Sequence, residues 1–259
     1  MNNTQVVILA GGLGTRISEE TNTKPKPMVS IGGKPILWHI MKVYSHHGFN
    51  DFIICAGYMG NIIKEYFANY FLNMSDITFD MINNEMIVHQ KKAEPWKVTI
   101  VDTGLESMTG ERLRRIRPYI KNDYFCATYG DVIGDINIPQ LVESHLSDKS
   151  HITLTGVQPP GRYGALRLNE KKVVAFKEKL KGDGSWVNGG FFVINSDILN
   201  TIPDTNVPWE EDPLESHAQN NLLGCYKHHG FWHPMDTLRD KKYLESLWVS
   251  GNAPWQIWK

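Results

Sequence analysis

The chain contains stretches whose residue types suit phosphate chemistry. Leu9-Ala10-Gly11-Gly12-Leu13-Gly14-Thr15-Arg16 ends an apolar run in a glycine-rich loop, and Lys24-Pro25-Lys26-Pro27 follows closely. Glycines let the backbone curl around a phosphate and turn N–H groups inward. Thr15 adds a hydroxyl donor, and Arg16 and Lys26 add charge where a triphosphate is most negative. The prolines flanking Lys26 stiffen the segment that presents it. Glycines alone read as a ligand-free turn; Arg16 and a proline-braced Lys26 turn the reading toward phosphate.

Two aspartates supply the complementary chemistry. Asp131 follows an apolar run in Thr128-Tyr129-Gly130-Asp131, and Asp236 lies in Phe231-Trp232-His233-Pro234-Met235-Asp236-Thr237. In open α/β sheets, ligands gather beyond the carboxyl ends of strands. Mg²⁺ takes hard oxygen ligands and needs only one or two carboxylates when phosphates supply the rest. Each aspartate also has a plain reading: Asp131 as a turn residue, and Asp236 as the cap of a helix beginning near Leu238. Their spacing does not show whether they meet.

A further group spans Phe176-Lys177-Glu178-Lys179 and Val187-Asn188-Gly189-Gly190-Phe191. Glu178 and Asn188 could bond sugar hydroxyls and Lys179 a sugar phosphate, or the group is a charged edge strand. Other chemistries fit less well. A dinucleotide fingerprint needs a third small residue, but Gly12-Leu13-Gly14 runs on into Thr15, Arg16 and Ile17. Gly33-Lys34 is followed by Pro35, not Ser or Thr, so no P-loop forms there. The adjacent pairs His46-His47 and His228-His229 cannot share one face, and no histidine has zinc-type spacing with cysteine. No G-x-S-x-G anchors a serine triad.

The elements that must position these residues read as alternating strands and helices. Val6–Ala10, Asp51–Cys55, Val98–Val101 and Tyr124–Tyr129 are short β-rich runs. Residues 34–48, 60–72 and 110–120 carry helical spacing between them. That alternation predicts βαβ crossovers and an α/β fold with a mostly parallel sheet. Residues 76–92 read as a hairpin around Asn83-Asn84. From residue 151, strand-like runs at 152–157, 165–168, 173–176 and 191–194 have few helices between them, which predicts a smaller antiparallel sheet layer. The tail residues Trp248, Trp255 and Trp258 must pack on their own domain or on a neighbouring subunit.

Bulk properties narrow the partners. The chain has 259 residues, 41% hydrophobic and 21% charged, with formal net charge -1. No global basic field favours nucleic acid or an acidic membrane. Cys55, Cys126 and Cys225 form neither a disulfide framework nor a zinc site. The first apolar stretch is too short for a signal peptide or membrane span. A cytoplasmic setting is expected.

Taken in order, these motifs resemble those of the sugar nucleotidyltransferase family. The supporting segments run almost end to end: residues 9–16, 24–28, 31–39, 94–96, 101–104, 108–112, 129–131, 159–162, 188–192 and 231–240. Ile36-Leu37-Trp38-His39, Pro160-Gly161-Arg162 and Met235-Asp236-Thr237-Leu238-Arg239-Asp240 point to its cytidylyltransferase branch. The resemblance implies one domain over 1–259, with a nucleotide-binding half over 1–135 and a sugar-binding half over 136–259. It implies a Rossmann-like mixed sheet flanked by helices, and a homo-oligomer. Leu9 to Arg16 and Lys26 would bind the triphosphate, with Gly130 beside it, and Asp131 and Asp236 would hold Mg²⁺. Ser107 to Arg112 would bear on the choice of CTP. Arg112, a donor only, could meet N3 and O2 of cytosine; alternatively it is a surface residue beside Arg114 and Arg115. Glu178, Lys179, Asn188 and Gly189 would face a sugar 1-phosphate, with α-D-glucose 1-phosphate the expected acceptor. Leu180, Val132 and Trp186 depart from the family's usual pattern near the acceptor site. Another phosphorylated acceptor, or a catalytically inactive nucleotide-binding subunit, stays open at this point.

Overall fold

In the computed structural model, the residues described are 4–91, 93–159, 165–169, 172–177 and 185–258. A seven-stranded sheet forms the frame. Its strands are β1 (Gln5–Leu9), β2 (Asp51–Ala56), β3 (Lys97–Asp102), β4 (Tyr124–Tyr129), β5 (Ile152–Val157), β6 (Val187–Asn195) and β7 (Leu223–Lys227). Their spatial order is β7-β5-β6-β4-β1-β2-β3. β1 pairs in parallel with both β2 and β4, β2 with β3, and β5 with β7. β6 alone runs antiparallel, between β4 and β5.

The sheet is buried on both faces, which explains the near-continuous apolar runs. Along β1, Val6 and Ile8 pack into one core with Ile36, Ile40, Tyr44 and Trp255. Val7 points the other way, into a second core with Ile53, Leu113, Phe125 and Trp209. This is the two-residue period of a strand. The helices covering the sheet are α1 (Ile36–His46), α2 (Gly60–Ala68), α3 (Thr109–Arg115), α4 (Ile138–Ser147), α5 (Asp212–Gln219) and α6 (Leu238–Val249).

The helical patterns of 34–48, 60–72 and 110–120 resolve into α1, α2 with a short turn of helix at Tyr70–Asn73, and α3 followed by a 3-10 turn at Arg117–Tyr119. The hairpin expected over 76–92 is present as Ser75–Asp80 paired with Glu85–Lys91. The smaller antiparallel sheet is the pair Ala165–Asn169 and Lys172–Lys177. Two of the runs expected in that layer, β5 and β6, instead join the main sheet. Their partners are remote strands, so local pattern carries no sign of it.

The tryptophan-rich tail packs on its own chain. Trp255 is fully buried, and Trp248, Trp255 and Trp258 close around the His39 ring with centroids 4.6, 6.2 and 6.3 Å away. His39 Nε2 lies 2.8 Å from the Ile31 carbonyl, and the Trp255 indole N–H points at Nδ1 from 3.4 Å. With one nitrogen donating and the other accepting, the neutral ring is satisfied. A second ring proton would face a donor.

Burial therefore drives the His39 pKa down from 6.5 to about 4, against the opposing pull of the Ile31 carbonyl. The folded state favours the neutral ring, so the stabilisation is full above pH 6.5 and is lost as pH falls toward 4. Each pH unit in that window removes about 1.4 kcal/mol. Urea unfolding should show native protein about 2 kcal/mol less stable at pH 5 than at pH 7.5 through this group. His39→Gln, which cannot titrate, should flatten the slope; equal slopes would refute the assignment.

Candidate active site

The site forms where β1 and β4 end side by side. β1 delivers the chain into Ala10-Gly11-Gly12, and β4 delivers Gly130 and Asp131. The Gly130 N–H donates to the Leu9 carbonyl at 2.9 Å, fixing the two loops together. Gly14 adopts φ +66° before the 3-10 turn Thr15–Ile17, and a side chain there would strike Thr21 and Lys26.

Asp236 arrives from more than a hundred residues away in sequence. Val132–Gly134 pairs antiparallel with Trp232–Pro234, setting Val132 against Pro234. The Met235 N–H then donates to the Asp131 carbonyl at 2.8 Å. The following helix α6 is capped by Thr237, with Asp240 completing a capping box. Asp236 is therefore not the cap, and its carboxylate is free for other use.

The two carboxylates converge on one cation. Lys26 Nζ lies 2.6 Å from Asp131 Oδ2 and 2.7 Å from Asp236 Oδ1. Arg16 reaches the other oxygen of Asp236 at 2.8 Å. The Lys26 side chain is 9% exposed and that of Arg16 is 70% exposed. Here the ammonium marks the point that both aspartates can serve. Hard oxygens from two loops meeting at one point fit a small divalent ion such as Mg²⁺. Among the described residues no group of three or more His, Cys, Asp or Glu forms a ready metal cage, so phosphate oxygens would complete the shell.

Lys26, Arg16 and Asp131 line a cleft of about 490 Å³, and Asp236 stands behind them, bonded to both cations. The cleft lining joins Leu9 to Gly12, Gly14 to Arg16, Lys26 and Pro27 to Ser107, Met108, Thr109, Arg112, Tyr129, Gly130, Asp131, Pro208 and Glu210. The chain matches the family model described as "Nucleotidyl transferase" over residues 5–232. The chain belongs to the nucleotidyl transferase family. It is 57% identical over 256 residues to glucose-1-phosphate cytidylyltransferase of Salmonella typhimurium, covering 98% of this chain and all of the relative. It is 38% identical over 255 residues to a probable glucose-1-phosphate cytidylyltransferase of Bacillus subtilis, again covering 98% of this chain and all of the relative. The crystal structure of HddC from Yersinia pseudotuberculosis superposes with a TM-score of 0.68 at 23% identity, covering 95% of this chain and 99% of that one, which shows the shared fold.

Within this nucleotidyl transferase, the expected triphosphate residues line the cleft except Leu13, whose side chain is exposed. Asn188 stands at the edge, its side-chain amide 3.4 Å from the Tyr129 hydroxyl. The Gly189 carbonyl accepts from the Trp232 indole at 2.7 Å. Glu178, Lys179 and Leu180 lie outside the described residues. Val132 is buried in the core. Trp186 packs edge-on to His229 with Lys227 over its ring.

Arg112 is not a surface residue; it is 4% exposed. Its Nη1 faces Thr103 Oγ1 and the Gly104 carbonyl at 2.7 Å and the Ala56 carbonyl at 3.3 Å. Its Nη2 faces the carbonyls of Gly11 at 3.0 Å and Leu105 at 3.2 Å. A side chain at Gly11 would overlap this guanidinium. The terminal donors expected to meet the base are thus already engaged by protein acceptors, including the Gly104 and Leu105 carbonyls.

The far wall holds residues that sequence reasoning missed. Glu210 accepts from Tyr129 and, at 2.6 Å, from Thr109. Burial, then the Glu210 charge, pushes the Tyr129 hydroxyl pKa up, so it stays a donor. The segment carrying Glu210 is stitched to the 106–110 loop. Met108 N–H donates to Asn206 Oδ1, Gly110 N–H to the Val207 carbonyl, and Asn206 Nδ2 to the Glu106 carbonyl. Nothing in the spacing of Trp209-Glu210-Glu211-Asp212 marks this contact.

If Arg112 holds three loops together, its removal should cost stability. Arg112→Ala leaves the Gly104 and Leu105 carbonyls without their donor and should cost about 3 kcal/mol. Arg112→Lys should recover only part, since one ammonium cannot reach all five acceptors. Urea unfolding measures both; a loss below about 1 kcal/mol for the alanine variant would contradict the role.

Proposed function

We propose that the chain transfers a cytidylyl group from CTP to α-D-glucose 1-phosphate, forming CDP-glucose and pyrophosphate. The observation that carries this reading is the end-to-end 57% identity to a glucose-1-phosphate cytidylyltransferase. The cleft supports it. Its lining brings Lys26 and Arg16, whose charges are offset by Asp131 and Asp236, together with the glycine-rich loop, a set of donors that suits a triphosphate.

The reaction is an in-line displacement. A phosphate oxygen of the sugar 1-phosphate forms a bond to the α-phosphorus, and the bond from that phosphorus to the bridging oxygen of the β-phosphate breaks. The attacking oxygen is already ionised at neutral pH, so positioning and charge neutralisation suffice. Backbone N–H groups of the 10–15 loop cradle the triphosphate. Lys26 neutralises charge on it, and Arg16, mostly exposed at the cleft mouth, steadies the departing pyrophosphate. Lys179 is assigned to the attacking phosphate. Mg²⁺, held by Asp131 and Asp236, would supply charge neutralisation and orientation of the triphosphate oxygens.

Base choice is assigned to the loops that Arg112 fixes. Cytosine and uracil share a shape but differ at N3 and at the group on C4, so a site built for one leaves polar groups unpaired with the other. In this reading Arg112 acts chiefly through the backbone it holds. The two halves of one domain, 1–135 and 136–259, each contribute an aspartate.

The setting is read as the cytoplasm, where the free thiols Cys55, Cys126 and Cys225 suit a reducing environment. No described helix is long and apolar enough to cross a membrane. A homo-oligomer is also proposed. The 75–91 hairpin exposes Phe79, Met81, Ile82, Met86 and Ile87, and a two-stranded ribbon with bare apolar side chains gains from a partner. Light scattering should give a mass above the 29.6 kDa of one chain; a monomer at micromolar concentration would refute it.

Pyrophosphate release over four nucleoside triphosphates and several sugar 1-phosphates tests the activity. CTP with α-D-glucose 1-phosphate should be the preferred pair, with CTP favoured over UTP at least about tenfold. Asp131→Asn and Asp236→Asn should each lower turnover by about 10²-fold or more with the fold intact. Equal use of UTP would leave only the broader nucleotidyltransferase activity; near-normal turnover of either variant would remove the metal assignment.

A further inference from the structure

Lys26 is given two duties that it cannot perform at once. Its ammonium is bonded to Asp131 and Asp236, yet the proposed chemistry needs it on the triphosphate. Geometry sharpens the conflict. An ion held by both carboxylates would sit about 2.1 Å from an oxygen of each. Lys26 Nζ lies 2.6 Å from one oxygen of Asp131 and 2.7 Å from one of Asp236, so an ion drawn to those two oxygens competes with the ammonium for the space between them. Two cations cannot share it.

Charge points the same way. Lys26 and Arg16 together balance Asp131 and Asp236. A divalent ion arriving alone would add two uncompensated charges to a cluster whose central group is largely buried. A divalent ion arriving with a triphosphate would not. The ammonium also has somewhere to go, because Lys26 lines the same cleft as the 10–16 loop. Its backbone need not move: Lys26 opens a 3-10 turn with Pro25 before it and Pro27 after it, and a lysine head is carried on a flexible four-carbon stem.

We propose that Lys26 is an exchangeable place-holder at the metal site: its ammonium keeps the two aspartates paired until the triphosphate draws it away, so the metal enters only together with the nucleotide. This rests on the reading of Asp131 and Asp236 as metal carboxylates. It makes metal and nucleotide affinities mutually dependent, as linkage requires. It also assigns Lys26 a part in the order of assembly, separate from its part in turnover.

The test measures Mn²⁺ binding by electron paramagnetic resonance, with no sugar phosphate present. Native protein should bind Mn²⁺ weakly alone and at least about tenfold more tightly with CTP bound. Lys26→Met and the hydrogen-bonding Lys26→Gln remove the competing charge, so either should bind Mn²⁺ alone at least about tenfold more tightly than native protein. Thermal unfolding confirms that each variant is folded, and because CTP itself chelates Mn²⁺, every CTP arm is read against Mn²⁺ and CTP without protein. Asp131→Asn and Asp236→Asn should lose the protein-dependent part of Mn²⁺ binding in the CTP complex. If they lose it while the Lys26 variants bind Mn²⁺ no better than native protein, the exchange is wrong and the metal assignment stands. Native protein that binds Mn²⁺ as tightly without CTP as with it also overturns the exchange. If the aspartate variants keep full Mn²⁺ binding with CTP, the metal assignment itself fails and takes the exchange with it.

Discussion

A buried ammonium held between two carboxylates organises this molecule. Lys26 is shielded from water and pairs with Asp131 and Asp236, which come from loops far apart in sequence. A buried charge is costly unless paired, so the strands, turns and caps around it must hold all three groups in place. The parallel pairing of β1 with β4 brings the Lys26 segment near Asp131. The short ladder between Val132–Gly134 and Trp232–Pro234 brings Asp236 beside Asp131. The Thr237–Asp240 capping box satisfies the start of α6 without using Asp236.

A second buried cation, Arg112, ties loops together in the same cleft. Arg112 uses its planar donors to tie loops that follow β1, β2 and β3. The contrast with Lys26 follows from chemistry. A guanidinium with donors fixed in one plane suits five protein acceptors that do not move. An ammonium on a flexible stem suits a pairing that must be exchanged. The fold thus fixes the loops around Arg112 and carries Lys26 on a stem that can move.

Much of this frame was legible in the sequence. Apolar runs ending in glycine located β1, β2 and the loop they feed, and helical spacing located α1, α2 and α3. Features set by distant pairing were not legible. Three-residue strands such as Val132–Gly134 are too short to show alternation, so the meeting of Asp131 with Asp236 had no local signal. The Arg112-Leu113-Arg114-Arg115 run looks solvent-facing because charge normally is, yet Arg112 turns inward to carbonyls that no sequence pattern displays. β5 and β6 looked like a separate antiparallel layer because their partners, β4 and β7, are remote in the chain. Glu210 was missed for the same reason: its partners Tyr129 and Thr109 are joined to it only by the folded path of the chain.

The most direct test of the central claim is an anomalous-difference map from crystals grown with Mn²⁺ and CTP. The account predicts one strong peak between the Asp131 and Asp236 carboxylates, with the Lys26 ammonium moved onto the triphosphate. A Mn²⁺ peak elsewhere in the cleft, with Lys26 still bonded to both aspartates, would contradict it.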